Sequence, residues 1–262
     1  MRVGINFDAK WDYREVIDAF SENGIDRTFV CIEHPQFAEA MAALKKANIT
    51  VDNFHAPFKK QNTIWDESDI GEDMLARFLE AVDYCVEYGV PLMVAHVSNG
   101  RPMPPINKTG LARFDKFMAY AKSKGITIAF ENHKYVENVQ FIMERYPDAG
   151  FCLDTSHENG FTPGVRYMSM WSDRLVATHL SDNECVCDKD MHMIPFDGSI
   201  DFEQTAFEIA KSARDLTLML EIKPNNHPKY KDMSAKEYYA AAAKSIKKFA
   251  LMVDKFKEQN EI

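Results

Sequence analysis

The chain has 262 residues, 46% hydrophobic and 27% charged, values that set it among ordinary globular proteins and exclude a disordered or fibrous class. Its 31 Lys and Arg against 40 Asp and Glu give a formal charge of −9, which supplies no long-range attraction to nucleic-acid phosphates or anionic lipid. The five cysteines are odd in number, and Cys31 and Cys152 lie within apolar runs, a usage that fits a reducing cytoplasm better than a disulfide framework. The opening MRVGINFDAKW turns polar too soon for a signal peptide, and no run of about 18 apolar residues marks a membrane span.

Short β-rich runs alternate with longer amphipathic segments along the chain. The strand candidates are Val3 to Asn6, Thr28 to Cys31, Thr50 to Phe54, Leu92 to Ala95, Thr127 to Phe130, Gly150 to Leu153, Val176 to Thr178 and Leu218 to Leu220. Helices fill the gaps. The first, Tyr13 to Glu22, stops at Asn23-Gly24, and another, Phe114 to Ser123, stops at Lys124-Gly125. The last opens with the capping box Ser234-Ala-Lys-Glu237 and runs to Lys257. Longer loops fall at Lys59 to Gly71, Gly100 to Lys108 and Cys185 to Ser199. Neither Gly-x-Gly-x-x-Gly after the first strand nor a P-loop is present, which disfavours the nucleotide-binding open sheets. The expectation is an α/β fold, a single (β/α)8 TIM barrel spanning residues 1–262, with its site at the C-terminal strand ends.

From the third strand onward each apolar run is followed at once by an acid or a histidine: His55, His96, Glu131, Asp154, His179 and Glu221. In a barrel these side chains converge on one mouth. His157 lies three residues after Asp154, and Asp190 and His192 stand in the long loop that follows His179. Carboxylate oxygen and imidazole nitrogen are the ligand set of Mn²⁺ and Zn²⁺, and also of Mg²⁺, Co²⁺ or Fe²⁺; several carboxylates at one mouth would repel without such a cation.

In their order along the chain, Phe54-His55-Ala56-Pro57-Phe58, Val94-Ala95-His96, Ala129-Phe130-Glu131-Asn132, Cys152-Leu153-Asp154-Thr155-Ser156-His157, Thr178-His179-Leu180-Ser181-Asp182-Asn183, Asp190-Met191-His192, Phe196-Asp197-Gly198-Ser199-Ile200-Asp201-Phe202 and Leu220-Glu221 resemble the successive motifs of the xylose-isomerase-like TIM-barrel superfamily. That superfamily holds sugar isomerases and epimerases, inosose dehydratases and zinc apurinic endonucleases. The resemblance to the epimerases implies one divalent ion on Glu131, Asp154, His179 and Glu221, with His157 touching substrate. The endonuclease pattern adds His55, His96, His157, Asp190 and His192 as further metal ligands, and this chain has a suitable residue at each. Against DNA chemistry stands the third loop, KKQNTIWDESDIGEDM, which is acidic after its two lysines.

The resulting expectation is a metal-dependent isomerase or epimerase of a small sugar, with a dehydratase acting on an inosose or keto-acid as the alternative and an endonuclease as the lesser one. Glu131 and Glu221 are the expected acid/base pair, because proton removal beside a carbonyl leaves an enediolate that a divalent ion stabilises. His157, Lys223, His55 and Trp65 are the expected substrate contacts, Lys223 standing in for an arginine that related epimerases carry near Asn183 and Glu184. Phe7, Trp11 and Phe58 join Trp65 as candidates for an apolar wall. Neither a nucleic-acid nor a membrane partner is expected, the compartment is expected to be the cytoplasm, and a homo-oligomer is left open.

Overall fold

A computed structural model describes residues 1–259. The β-branched and aromatic runs form eight strands: β1 Arg2–Ile5, β2 Arg27–Cys31, β3 Thr50–His55, β4 Leu92–Ala95, β5 Thr127–Glu131, β6 Gly150–Asp154, β7 Leu175–His179 and β8 Thr217–Leu220. The helices between and after them are α1 Tyr13–Glu22, α2 Phe37–Lys46, α3 Ile70–Tyr88, α4 Lys108–Ser123, α5 Val136–Arg145, α6 Thr155–Phe161, α7 Met168–Trp171, α8 Phe202–Lys211 and α9 Ala235–Gln259. Strands β2 to β7 pair in parallel in chain order, and β1 pairs in parallel with β8. Two seams close the ring. Leu180 N donates to Met219 O (2.8 Å) and Glu221 N to Leu180 O (3.1 Å) between β7 and β8, while Phe7 N donates to Phe29 O (3.1 Å) beyond β1 and β2. The fold is the expected TIM barrel, with helices around the parallel ring.

Each helix buries one stripe. On α3 it runs through Met74, Leu75, Phe78, Ala81, Val82 and Cys85, the spacing that keeps one face of a helix inward. Asp12 caps α1 by accepting from Arg14 N (2.9 Å), Asn107 caps α4 by accepting from Gly110 N (2.8 Å), and the Ser234/Glu237 box opens α9 as expected. Gly24 and Gly125, at φ +61° and +72°, end α1 and α4 at the expected places. All five cysteines are unpaired, and among the described residues no helix is long and apolar enough to cross a membrane.

The loop from Lys59 to Gly71 is more ordered than its polarity suggests. A 3-10 turn over Gln61–Trp65 is stapled by the buried Arg113 guanidinium, which donates to Ile64 O (2.9 Å), Ser68 O (3.0 Å) and Glu72 (2.9 Å) and also to Asp66 O. This staple corrects the expectation for Trp65. Its indole is 2% exposed, donates Nε1–H to Val97 O (3.1 Å) and packs against Phe114 (5.2 Å between centroids); it is a core residue that does not reach the barrel mouth.

Gly110 makes room for that ring: a Cβ there would stand 2.2 Å from Trp65 Cε3. Gly110→Ala should therefore cost about 1–3 kcal/mol by overpacking. Urea denaturation checks this, and a change within roughly 0.5 kcal/mol would mean that the indole is not wedged in place.

Candidate metal centre

The strand termini deliver the site. His55, Glu131, Asp154 and His179 are the last residues of β3, β5, β6 and β7, and His96 and Glu221 come one position after β4 and β8. Glu131, Asp154, His179 and Glu221 each bring a ligand atom within 4.8 Å of the others, and all four are buried. Glu131 Oε1, Asp154 Oδ2, Glu221 Oε2 and both ring nitrogens of His179 have no hydrogen-bond partner. Buried polar atoms without partners cost free energy, and three buried carboxylates facing one another cost more, so the donor set fits a divalent cation.

Neighbouring groups fix the ligands in place. Asn132 clamps the ends of β5 and β6 by donating Nδ2–H to Asp154 O (2.8 Å) and accepting from Asp154 N (2.7 Å). Asp154 also caps α6, its Oδ1 accepting from His157 N (2.6 Å). Phe29 stacks on the His179 ring at 4.5 Å and 21°.

Two further groups adjoin this centre. His55 and His96 face Glu131 Oε2 through Nε2 at 3.5 and 3.1 Å, and the three converge as a possible ligand group. His55 Nδ1–H is held by Ala56 O (2.8 Å), leaving Nε2 as the ligand atom. On the other side, His157 donates Nδ1–H to Asn132 O (2.9 Å) and His192 donates Nδ1–H to Glu221 O (3.0 Å). Asp190 lies between their Nε2 atoms, at 3.6 and 2.7 Å.

Asp190 and His192 are carried by a loop, and Asp182 shapes it. Its carboxylate accepts from Asn183 N (2.8 Å), Gly198 N (2.8 Å) and Ile200 N (3.0 Å), while its backbone exchanges two 2.8 Å bonds with Met193. His192 sits at φ +42°, a left-handed conformation that a histidine adopts only at a cost.

The electrostatics follow from burial and crowding. Burial pushes the Glu131 carboxyl up, yet the His179 and His96 rings beside it hold it well below the usual carboxylate range. Glu221 is likewise held low, burial being outweighed by Lys223, His192 and His179. Asp154 is pushed up to about 7 by burial, which His157 and His192 only partly offset. Burial lowers His133 well below the ordinary histidine value, reinforced by His96 and His157.

A cavity of about 370 Å³ opens above the centre, within the roughly 300–1,000 Å³ usual for small-ligand sites. His55, His157, Glu221 and Lys223 line it, with His96 and Asp190, whereas Glu131, Asp154, His179 and His192 lie beneath. Phe7, Phe58 and Phe29 form the apolar wall. Trp11 is not part of it, packing instead on Tyr238 and Tyr239. Cys31 also lines the cavity, its thiol pushed up to about 11 by burial. The sequence reading missed His133, which lines the cavity with an unpartnered Nδ1 and packs 4.7 Å from His96 and 4.8 Å from His157. It stands two residues past Glu131, and extending the strand-end rule by one alternate position would have found it.

Fold and site together define a class. The sequence model of the xylose isomerase-like TIM barrel family matches residues 17–249, and the chain belongs to that family. A curated relative, the uncharacterized protein y4fM of Sinorhizobium fredii, is 31% identical over 106 residues, 37% of this chain. The match spans only 33% of that relative's length. Among solved structures the chain is similar to the IOLI protein with a bound zinc atom, at TM-score 0.78 and 15% identity over 98% of this chain and 99% of that one. It is also similar to an L-ribulose 3-epimerase, at TM-score 0.75 and 11% identity over 99% and 97% of the two chains. A D-allulose 3-epimerase from Methylomonas sp. in complex with D-allulose gives TM-score 0.72 and 15% identity over 94% and 97%. At such identities the likeness speaks to the fold.

Metal uptake requires Asp154 to shed its proton. Asp154, pushed up to about 7, and His179, raised well above the ordinary histidine value, must both lose a proton, so apparent affinity for Mn²⁺ or Zn²⁺ should fall by more than about tenfold per pH unit below 7 and keep rising above it. Competition titrations between pH 5.5 and 8.5 read this directly; a flat profile would remove Asp154 from the centre. Asp154→Asn should lose the ion at every pH, measured by elemental analysis after dialysis.

Proposed function

We propose that the chain is a metal-dependent isomerase or epimerase of a small α-hydroxycarbonyl sugar, working by proton transfer through an enediolate. The observation that carries this reading is the set of partnerless buried ligand atoms on Glu131, Asp154, His179 and Glu221 at the floor of a sugar-sized cavity. The zinc of the IOLI protein and the ketohexose of the D-allulose 3-epimerase complex, both on the same fold, support it.

A bound divalent ion would polarise the substrate carbonyl and its neighbouring hydroxyl, making the carbon-bound proton removable. Glu131 and Glu221 arrive from β5 and the end of β8 and act as the acid/base pair, one accepting the proton and the other returning it. The imidazoles and Lys223 around them keep both carboxyls ionised and ready to accept. His157, His55 and Lys223 contact substrate hydroxyls from the cavity wall, joined by His133. The faces of Phe7 and Phe58 pack against sugar carbon and exclude water.

The test is exchange of substrate carbon-bound hydrogen with D₂O, across a panel of ketoses and inososes with Mn²⁺-replete protein. Deuterium should enter one of them, and Glu131→Gln and Glu221→Gln should each slow that entry by about 10²–10⁴. A product lacking one water would move the reading to a dehydratase on the same enediolate. No exchange into any member of the panel, with both variants indistinguishable from wild type, sinks the isomerase reading.

A further inference from the structure

In a ring of eight strands β1 stands opposite β5, so the cavity above the metal centre of β5 to β8 extends to the ends of β1 and β2. Asn6, Phe7, Asp8 and Glu33 line it there. The two acids differ. Glu33 is fully engaged, Oε2 accepting from Phe58 N and Lys59 N (both 3.1 Å) and Oε1 from the Arg77 guanidinium (2.7 Å). Asp8 is engaged on one side only. Its Oδ1 accepts from Lys10 N (2.8 Å), while Oδ2 has no partner among the described residues and is not closed off from the cavity. The Lys10 ammonium is spent elsewhere, donating to Tyr230 O (3.1 Å) and Lys231 O (3.0 Å).

We propose that Asp8 is a specificity-determining residue whose Oδ2 accepts a hydrogen bond from a substrate hydroxyl at the end remote from the metal ion. Its frame is fixed before any ligand arrives. Asp8 N donates to Oη of the buried Tyr239 on α9 (3.3 Å). Two residues earlier, Asn6 ties the end of β1 to that of β8, donating Nδ2–H to Ile222 O (3.0 Å) and accepting from Ile222 N (2.8 Å). Burial raises the Asp8 carboxyl, and the Lys10 amide and the ammonium groups of Lys223 and Lys10 draw it partway back. A carboxylate oxygen only accepts, and a hydroxyl is the neutral sugar group that donates to it. A phosphate or carboxylate at the same place would meet a like charge, so the site selects a chain with a free hydroxyl at its far end. The inference rests on the sugar reading of the cavity and adds what that reading leaves out, the chemistry of the end that does not react.

The experiment is binding of two polyols that cannot react: D-glucitol, and 1-amino-1-deoxy-D-glucitol, whose ammonium does not ligate a metal ion. Zn²⁺-loaded wild type, Asp8→Asn and Asp8→Ser are titrated by calorimetry, with circular dichroism to check the fold. Wild type should bind the aminopolyol about tenfold more tightly than D-glucitol, because the ammonium meets the Asp8 charge directly. Asp8→Asn should bind D-glucitol several-fold more weakly than wild type and lose the preference for the amine. Asp8→Ser also removes the charge, and it answers if Asp8→Asn does not fold. The proposal is overturned if the folded variants bind both polyols as wild type does, or if they weaken both by one factor, as a damaged scaffold would. Wild type that binds neither polyol overturns it as well. Lack of deuterium exchange defeats the isomerase reading without touching these affinities, and an unchanged amine preference defeats this inference without touching exchange.

Discussion

Glu131 sets the terms for the whole mouth of the barrel. It is fully buried, and four imidazoles surround it: His96 at 3.1 Å, His179 at 3.1 Å, His157 at 3.2 Å and His55 at 3.5 Å. A carboxylate taken out of water is costly unless cations or hydrogen-bond donors replace its hydration. Only the parallel ring can supply them, because it brings strand ends far apart in sequence to one point. The clamp of Asn132 on Asp154, the N-terminus of α6 over Asp154 and the ring of Phe29 on His179 all hold groups around that one charge.

The site is built from two kinds of support. Strand ends hold Glu131, Asp154 and His179 with the stiffness of the sheet, so their positions follow from the fold itself. Asp190 and His192 depend instead on a loop that owes its shape to Asp182 and to its contact with Lys223. His192 pays for this with a left-handed backbone. Strain of this kind persists only where surrounding bonds over-determine it, and here a carbonyl, a hydroxyl and an ammonium all bear on one ring.

Most of the barrel was legible in the sequence because strand and helix periods differ and because caps such as Asp12 and Ser234 announce helix starts. The strand ends were legible too, although the sequence stopped each of β3, β5, β6 and β7 one residue short: His55, Glu131, Asp154 and His179 are themselves in the ladder. Polar side chains look like loop residues in a one-dimensional reading, and only the sheet shows that they are its last rung. Trp65 was misplaced for the opposite reason. Its loop is polar, and nothing local announces that Arg113, from a helix far along the chain, will pull that loop down and bury the indole over Gly110. Lys223 was legible as a residue facing the mouth, but its hold on His192 depends on a loop whose shape no periodicity encodes.

Cys31 gives the cavity a chemical tolerance. If the cavity takes α-hydroxycarbonyl compounds as proposed, a free thiol facing it would invite trapping, since thiolates add to aldehydes and ketones to form hemithioacetals and hemithioketals. The thiolate is the reactive form, and burial that raises the Cys31 thiol to about 11 leaves on the order of one molecule in 10⁴ ionised at neutral pH. The same apolar wall that would grip a sugar face thus keeps the nearest sulfur from reacting with its open chain.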